Sequence, residues 1–206
     1  GLLKHPDVCM KYDFQAAMIE PCYVSLAKDV LKGTGIQVAS TLNFPQADDS
    51  LDMKLAALKE MIKTGVDQFD FPPNPGLLIG GEEKAYFEEM KQIVEVAHAS
   101  GVIVKSMLEF GFLNEEQKKK AAQLACEAGI DWVKQSSGWG VGGCAATVED
   151  VKILKENISL PCRVKVSGKV NSLEKMKMMF EAGAELVGTS SGPEIIEGLI
   201  GDPNAY

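Results

Sequence analysis

Two lysines stand at the ends of short apolar, β-branched runs of the sequence, and a serine-glycine turn follows each of them. Lys134 ends the run DWVK at 131–134, and Lys165 lies in the run RVKV at 163–166. Burial of an unpaired ammonium group costs far more free energy than burial of its methylene chain gains. Two such lysines, one strand-helix unit apart, therefore predict a chemical role. The role that we infer is an amine nucleophile that forms a Schiff base, with a partner that tunes it.

Further polar residues, Asp70, Lys105 and Glu109, lie at or near predicted strand ends. Side chains alternate along a strand and neighbouring strands lie about 4.8 Å apart, so the three lysines can line one wall of a barrel beside Asp70. Like charges and partial desolvation lower the pKa of a lysine, and a neutral amine attacks a carbonyl group. Each lysine alone is as well explained by a side chain that reaches solvent. Three at equivalent strand positions, with an acid alongside, favour a catalytic site.

Serine-glycine turns follow the last three predicted strands, at 136–138, 167–168 and 188–192. Each turn is rich in hydroxyl groups and in backbone N–H groups near the start of a helix. That arrangement suits phosphate, and barrels favour the loops after their last two strands for it. Any one of these turns alone is an ordinary strand-helix connection, but three on adjacent strands predict a phosphate site.

The elements that must position these residues follow a regular alternation. We predict strands at 14–19, 36–42, 68–71, 102–108, 131–134, 163–166 and 186–188, and helices at 24–32, 51–64, 82–99, 115–127, 148–157, 173–182 and 193–200. Asn114, Thr147 and Ser172 are predicted helix caps. The prolines at 72, 73 and 75 predict a stiff loop. Strands that alternate with helices through short links indicate a parallel sheet.

We predict a (β/α)₈ TIM barrel over residues 1–206 as a single domain, with its first strand truncated. A barrel of this type needs eight strands, and seven are clear. Residues 1–4 read as the stub of the first strand, so we expect them to pair as a short eighth strand or the native chain to begin upstream of Gly1. The alternative is an open, doubly wound sheet, but no G-x-G-x-x-G motif follows the first complete strand.

The composition argues against several classes of partner and location. The chain has 206 residues, 46% of them hydrophobic, and a net charge of −8 without a block of Lys or Arg. Nucleic acid and anionic membrane surfaces are therefore not expected as partners. The sequence has no run of about 18 apolar residues and no signal-peptide pattern, so we expect a cytoplasmic protein.

The cysteines and histidines form no metal or redox motif in the sequence. The five cysteines are scattered and lack a C-x-x-C pair, which is typical of reduced thiols in a cytosolic protein. His5 and His98 have neither metal-ligand spacing nor a serine-nucleophile context. We therefore expect no metal ion, no cofactor and no Ser-His-Asp hydrolase.

Taken in order, the motifs resemble those of the 2-deoxyribose-5-phosphate aldolase family, which comprises class I aldolases built on a (β/α)₈ barrel. The resemblance extends over nearly the whole chain, and the set in its order is far more specific than any one motif. The motifs that carry it are VASTLNFP at 38–45, DQFD at 67–70, VKSMLE at 104–109, WVKQSSGWG from 132, RVKVSG from 163 and AGAELVGTSSG up to 192.

The resemblance implies a role for each residue at a matching position. Lys134 matches the Schiff-base lysine, and Lys165 matches the second lysine, which keeps the nucleophile neutral enough to react. Asp70 matches the acid of the proton relay, and Lys105 matches the lysine that contacts it. Gly168, Ser190 and Ser191 match positions that hold the substrate phosphate, and Cys22 matches a cysteine near the substrate. The turn residues Gly138 and Ser167 and the cation of Lys169 complete the expected phosphate-binding set, and Gln135 is expected near the site.

The chain also departs from the family pattern. Gln135 replaces a threonine beside the nucleophile, and Lys169 replaces a glycine in the loop after strand 163–166. The loop after Asp70 is unusually rich in proline, and the first-strand D-x-T motif of the family is missing. These departures leave the identity of the substrate less well defined than the fold.

Three hypotheses of function remain open at this stage. The first is a cofactor-independent class I aldolase, a lyase that reversibly cleaves 2-deoxyribose 5-phosphate in carbohydrate and deoxyribonucleotide catabolism. The second is a related lysine-dependent aldolase for a different aldehyde. The third is a catalytically silent barrel that binds a sugar phosphate or a partner protein. The expected partner in the first two is a small phosphorylated sugar or aldehyde, and a homo-oligomer is left open.

Overall fold

Seven parallel strands form the centre of the protein in the computed structural model, which describes residues 4–139 and 142–202. Their order in the sheet is their order in the sequence. Sequential order predicts barrel topology, because a doubly wound sheet reverses direction at a switch point. The strands are β1 (Ala16–Met18), β2 (Gln37–Thr41), β3 (Gln68–Phe71), β4 (Ile103–Met107), β5 (Trp132–Lys134), β6 (Arg163–Ser167) and β7 (Leu186–Gly188).

Helices connect the strands and cover the outer face of the sheet. They are α1 (Lys4–Tyr12), α2 (Val24–Val30), α3 (Leu51–Lys63), α4 (Pro75–Ile79), α5 (Glu83–His98), α6 (Glu115–Glu127), α7 (Val148–Glu156), α8 (Leu173–Glu181) and α9 (Gly192–Ile196). The three predicted caps are confirmed, since the side chains of Asn114, Thr147 and Ser172 each accept a hydrogen bond from the backbone amide three residues later. The alternation of parallel strands and helices confirms the predicted barrel class of fold, and the described residues form it as a curled half-barrel of seven strands.

The two faces of the sheet differ in polarity because side chains alternate along each strand. On the helix-facing side the register brings Phe69 beside Val104 and Val133 beside Val164, and all four are fully buried in the hydrophobic core. The next residues along these strands, Asp70, Lys105, Lys134 and Lys165, are charged and point to the opposite face, inside the barrel. The apolar layer thus fixes the strands, and the inner face is left for chemistry.

The N-terminal segment differs from the sequence-based prediction. Lys4 begins helix α1, so the predicted strand stub is wrong at that residue, and residues 1–3 lie outside the described part of the chain. Pro6 lies in the first turn of α1, where its missing N–H is not needed, and it is buried together with Cys9. Among the described residues no strand pairs between β7 and β1, so these two are the edges of the sheet.

Two smaller differences from the predicted elements concern the loop after β3 and the length of strand β1. The loop after β3 contains the short helix α4, which begins at Pro75 and is capped by the side chain of Asn74 on Gly76 N. Proline is well suited to the first turn of a helix, so the proline-rich segment is only partly a loop. Strand β1 covers three residues instead of the predicted six, although its hydrogen bonds to β2 extend from Gln15 O to Ile19 N.

Two further observations concern membranes and thiols. Within residues 4–139 and 142–202, none of the helices combines the length and the apolar character that a bilayer span requires. All five cysteines are free thiols. Burial raises the pKa of Cys9, and it raises that of Cys162 to about 12.

Candidate active site

Asp70 is the centre of a buried charge cluster inside the barrel. Its Oδ2 atom accepts hydrogen bonds from Lys165 Nζ at 2.6 Å and from Lys134 Nζ at 3.1 Å. Lys105 Nζ lies 3.1 Å from Oδ1 as an ion pair whose angle does not suit a hydrogen bond. Each of the four residues is at most 4% exposed. The structure therefore brings together the four residues predicted to be catalytic.

The register of the strands explains this arrangement. Asp70 on β3 is the direct partner of Lys105 on β4, and Lys134 on β5 is the direct partner of Lys165 on β6. Lys134 also lies beside Met107, two residues beyond Lys105. Strands in a barrel are staggered, so equal positions in the sequence need not share a level. Lys134 and Lys165 thus occupy equivalent positions, as predicted. Lys105 does not, because it lies two residues before the position on β4 that pairs with Lys134.

The electrostatics of the cluster follow from three ammonium groups that share one carboxylate. Burial lowers the pKa of both Lys105 and Lys165 to about 8, against the opposing effect of Asp70. Burial alone would raise the pKa of Asp70, but the charges of Lys165, Lys105 and Lys134 together hold it well below its usual range. A lysine of this cluster can therefore lose a proton near neutral pH while the carboxylate stays ionised.

The turn after β5 uses its polar groups mainly for its own structure. Ser136 Oγ accepts hydrogen bonds from Gly138 N and from Cys144 N, both at 2.9 Å. Ser167 Oγ donates to Ser136 O at 3.2 Å. The amide of Gly138, one of the predicted phosphate-binding groups, is thus engaged within the loop. Gly138 and Ser167 shape the loop in this structure.

The loops after β6 and β7 lie side by side. Thr189 Oγ1 donates to Val170 O at 2.7 Å and accepts from Ser191 N at 3.0 Å, so the two loops are joined through one hydroxyl group. Gly168 has a φ of 92°, and a Cβ atom there would lie 2.7 Å from Cys144 O. Only glycine combines that backbone conformation with so close an approach.

A cavity of about 970 Å³ connects the charge cluster to the loop after β7. Lys105 and Lys165 line it at one end, and Gly188 and Ser190 line it on the β7 side. A Cβ atom at Gly188 would lie 3.1 Å from Lys165 Cε, so glycine leaves room for this lysine. Lys169 and Ser190 are exposed on adjacent loops. A ligand in the cavity can therefore contact Lys105, Lys165 and the loop after β7 together.

In the structure Gln135 makes a structural contact and Cys22 is exposed. Gln135 is fully buried and donates from Nε2 to Ser167 O, while its Oε1 atom has no hydrogen-bond partner among the described residues. It therefore links the ends of β5 and β6. Cys22 is exposed in the 3₁₀ turn Pro21–Tyr23 that follows β1, rather than buried inside the barrel.

Sequence reasoning missed an aromatic contact between two loops. The rings of Phe44, after β2, and Trp139, after β5, meet edge to face with centroids 6.4 Å apart. Edge-to-face geometry is a favourable arrangement of two aromatic rings. Both residues lie in motifs that were noted for the family resemblance, but nothing in either motif alone predicted that the two would touch.

Sequence reasoning also missed a buried ion pair outside the cluster. Lys54 on α3 is fully buried, and its Nζ atom donates to Glu89 Oε1 and to Ala47 O, both at 2.8 Å. The same Oε1 atom accepts from Asn74 N at 3.0 Å. This pair holds together the loops after β2 and β3. The only signal in the sequence was a lysine on a helix face that otherwise packs inward.

Comparison with known proteins finds relatives both by sequence and by structure. No protein-family model matches the chain. A deoxyribose-phosphate aldolase from Thermococcus kodakarensis is 38% identical over 199 residues, which is 96% of this chain and 88% of that protein. One from Staphylococcus carnosus is 40% identical over 197 residues, which is 95% of this chain and 87% of that protein. The solved structure of deoxyribose phosphate aldolase from Aeropyrum pernix, described as tetrameric, has a TM-score of 0.85 at 26% identity and covers 93% of this chain and 80% of that one.

Proposed function

Because the chain belongs to the deoxyribose-phosphate aldolase family, we propose that it reversibly cleaves 2-deoxy-D-ribose 5-phosphate to D-glyceraldehyde 3-phosphate and acetaldehyde. The observation that carries the proposal is the Asp70 cluster, in which one carboxylate oxygen binds two buried lysines. An excess of buried ammonium groups favours a neutral amine, and a neutral amine is the nucleophile that a Schiff-base aldolase needs.

In the proposed mechanism Lys134 attacks C1 of the open-chain sugar. Addition gives a carbinolamine, and loss of water gives a protonated imine. Removal of the proton from the C3 hydroxyl breaks the C2–C3 bond, and the electron pair moves into the imine to form an enamine. Glyceraldehyde 3-phosphate leaves, C2 of the enamine takes up a proton, and water releases acetaldehyde and the free lysine.

The electrostatics divide the proton transfers among the other cluster residues. A carboxylate that three ammonium groups hold ionised is a weak base, so Asp70 mainly orients the lysines and passes protons between them. Lys165 and Lys105, each with a pKa of about 8, can both give and take protons near neutral pH. We assign them, together with water, to the proton transfers.

The phosphate group is assigned to the loops after β6 and β7. Gly168 and exposed Lys169 lie on the first of these loops and exposed Ser190 on the second, whereas Ser191 is buried and its amide already donates to Thr189 Oγ1. Such groups suit a dianion. We also propose, from family membership alone, a cytoplasmic role in deoxyribonucleotide catabolism and a homo-oligomeric state.

Trapping of the imine tests the proposed function. Sodium borohydride with acetaldehyde should add one ethyl group at Lys134, and intact mass followed by peptide mapping would locate it. Lys134→Ala should lose both the label and the cleavage of deoxyribose 5-phosphate, whereas Lys63→Ala, at an exposed lysine of α3, should retain both. A label on Lys105 or Lys165 would refute the assignment of roles, and an unlabelled, inactive wild-type protein would refute the proposed function.

A further inference from the structure

Glu109 is a buried carboxylate to which the proposed mechanism assigns no role. It follows β4, is 3% exposed and has φ and ψ angles of 50° and 56°. Residues with a side chain adopt this left-handed conformation only occasionally. A conformation of this kind persists where the surrounding structure holds it, and such positions cluster at functional sites.

The backbone on both sides of Glu109 is hydrogen-bonded to the end of β5. Leu108 N donates to the carbonyl oxygen of Lys134 at 2.8 Å, and Phe110 N donates to that of Gln135 at 2.8 Å. The left-handed residue therefore lies between two bonds to the proposed nucleophile and its neighbour. This places the carboxylate beside the turn that begins at Lys134.

The carboxylate of Glu109 binds that turn through both oxygens. Oε1 accepts from Ser137 N at 2.8 Å, and Oε2 accepts from Ser136 Oγ at 3.3 Å. Because the hydroxyl of Ser136 donates to the carboxylate, its lone pairs are free to accept from Gly138 N and Cys144 N, as observed. An ionised carboxylate has acceptors only. Protonation would place a second donor against this network.

We infer that Glu109 is a positioning residue, whose carboxylate holds the turn 135–138 so that the Lys134 amine stays directed at Asp70 during imine formation. The inference rests on the proposed function and extends it to a residue outside the lysine cluster. It requires the ionised form of Glu109, because only that form accepts both hydrogen bonds.

Among the described residues, Lys134 is the charged group that acts on Glu109. Burial raises the pKa of Glu109, while its hydrogen bonds to Ser137 and Ser136 and the charge of Lys134 oppose the shift. Tyr86 on α5 and Cys144 interact with the carboxylate, but burial raises the pKa of both, so both are neutral at physiological pH. As pH falls, Glu109 should therefore be protonated earlier than an ordinary glutamate, and the turn should lose its acceptor.

The experiment compares wild type with Glu109→Gln, which keeps the size of the side chain and removes its charge. We expect kcat for deoxyribose 5-phosphate cleavage to fall about tenfold or more, since a hydrogen bond to a charged group contributes at least about that factor. KM should stay within about twofold, and ethyl trapping at Lys134 should slow in parallel. Below neutral pH, protonation of Glu109 should contribute to the decline of kcat in wild type. Glu109→Gln has no group to protonate there, so its kcat should decline less steeply.

Ser136→Ala serves as the second variant, because it retains Glu109 and removes the hydroxyl that donates to it and that accepts from Gly138 N and Cys144 N. A loss of kcat is expected here as well, and the double variant should lose less than the product of the two single effects because both changes act on one turn. Wild-type kcat and pH profile in folded Glu109→Gln, or in Ser136→Ala if the first variant does not fold, would overturn the inference. A wild type that neither cleaves the substrate nor forms the ethyl adduct would instead refute the proposed function.

Discussion

Two buried lysine-carboxylate sites in this barrel differ in their balance of charge. Lys54 has one carboxylate partner, Glu89, and both are further satisfied by backbone groups of two loops. Asp70 faces Lys105, Lys134 and Lys165 at once. Both sites are almost inaccessible to solvent. Burial of lysine is therefore common to both, and the ratio of cations to anions separates them.

The difference has a direct physical consequence. A one-to-one pair with satisfied hydrogen bonds can remain charged inside a protein, and it serves to fix the elements that it joins. A cluster with excess positive charge cannot keep every ammonium group protonated without repulsion, so proton loss becomes accessible near neutral pH. The first arrangement suits architecture, and the second suits acid-base and nucleophilic chemistry.

Removal of the shared carboxylate should have the largest effect on activity. Asp70→Asn is expected to lower kcat about 10³-fold, because orientation and proton transfer are lost together. Asp67→Asn, at the other end of the same strand segment and paired with Lys28, is the matched control and should keep kcat within a few-fold of wild type. Steady-state cleavage rates of both variants test this, and equal losses would contradict the catalytic role of Asp70.

Loss of the balanced pair should affect stability instead. Glu89→Gln leaves the charge of Lys54 buried without a carboxylate, which is expected to cost about 3–5 kcal/mol in the free energy of unfolding. Urea denaturation followed by tryptophan fluorescence measures this loss. The folded variant should retain most of its kcat. A variant as stable as wild type but with the activity loss of Asp70→Asn would reverse the assigned roles.

Removal of one cation from the unbalanced cluster should shift the pH profile. Lys165→Leu is expected to reduce kcat at pH 7 about 10²-fold, and the acidic limb of kcat/KM should move to higher pH. The reason is that loss of a neighbouring positive charge favours the protonated form of the lysines that remain. This limb belongs to the coupled cluster rather than to one residue. An unmoved limb with a wild-type rate would leave Lys165 as a structural residue.

A further effect concerns stability at alkaline pH. Lys105 and Lys165 have pKa values of about 8 in the folded protein against 10.5 ordinarily, so the unfolded chain binds more protons between these values. The free energy of unfolding should therefore rise with pH in that window, by at most about 1.4 kcal/mol per lysine per pH unit. Below the window these two lysines should not change its dependence on pH. Urea denaturation at pH 7.5 and 9.5 checks this. The rise should be weaker in Lys165→Leu and unchanged in Lys63→Ala.

The sequence by itself determined most of the elements and the face of the sheet on which the catalytic residues lie. Strands β3 and β7 and helix α6 have the predicted bounds, and Asn114, Thr147 and Ser172 cap the predicted helices. These features depend on local periodicity and on capping within a few residues, which a single sequence displays. The alternation of apolar and charged residues likewise placed the lysines and Asp70 on one face.

Only the tertiary structure decided which of these residues contact one another. Asp70 meets Lys134 and Lys165 across 64 and 95 residues of sequence, and strand register rather than local pattern sets those contacts. The same holds for the burial of Lys54, for the amide of Gly138 turned into its own loop and for helix α1 in place of a strand. Each depends on which distant groups surround a residue, and that information is absent from the residue's own neighbourhood in the chain.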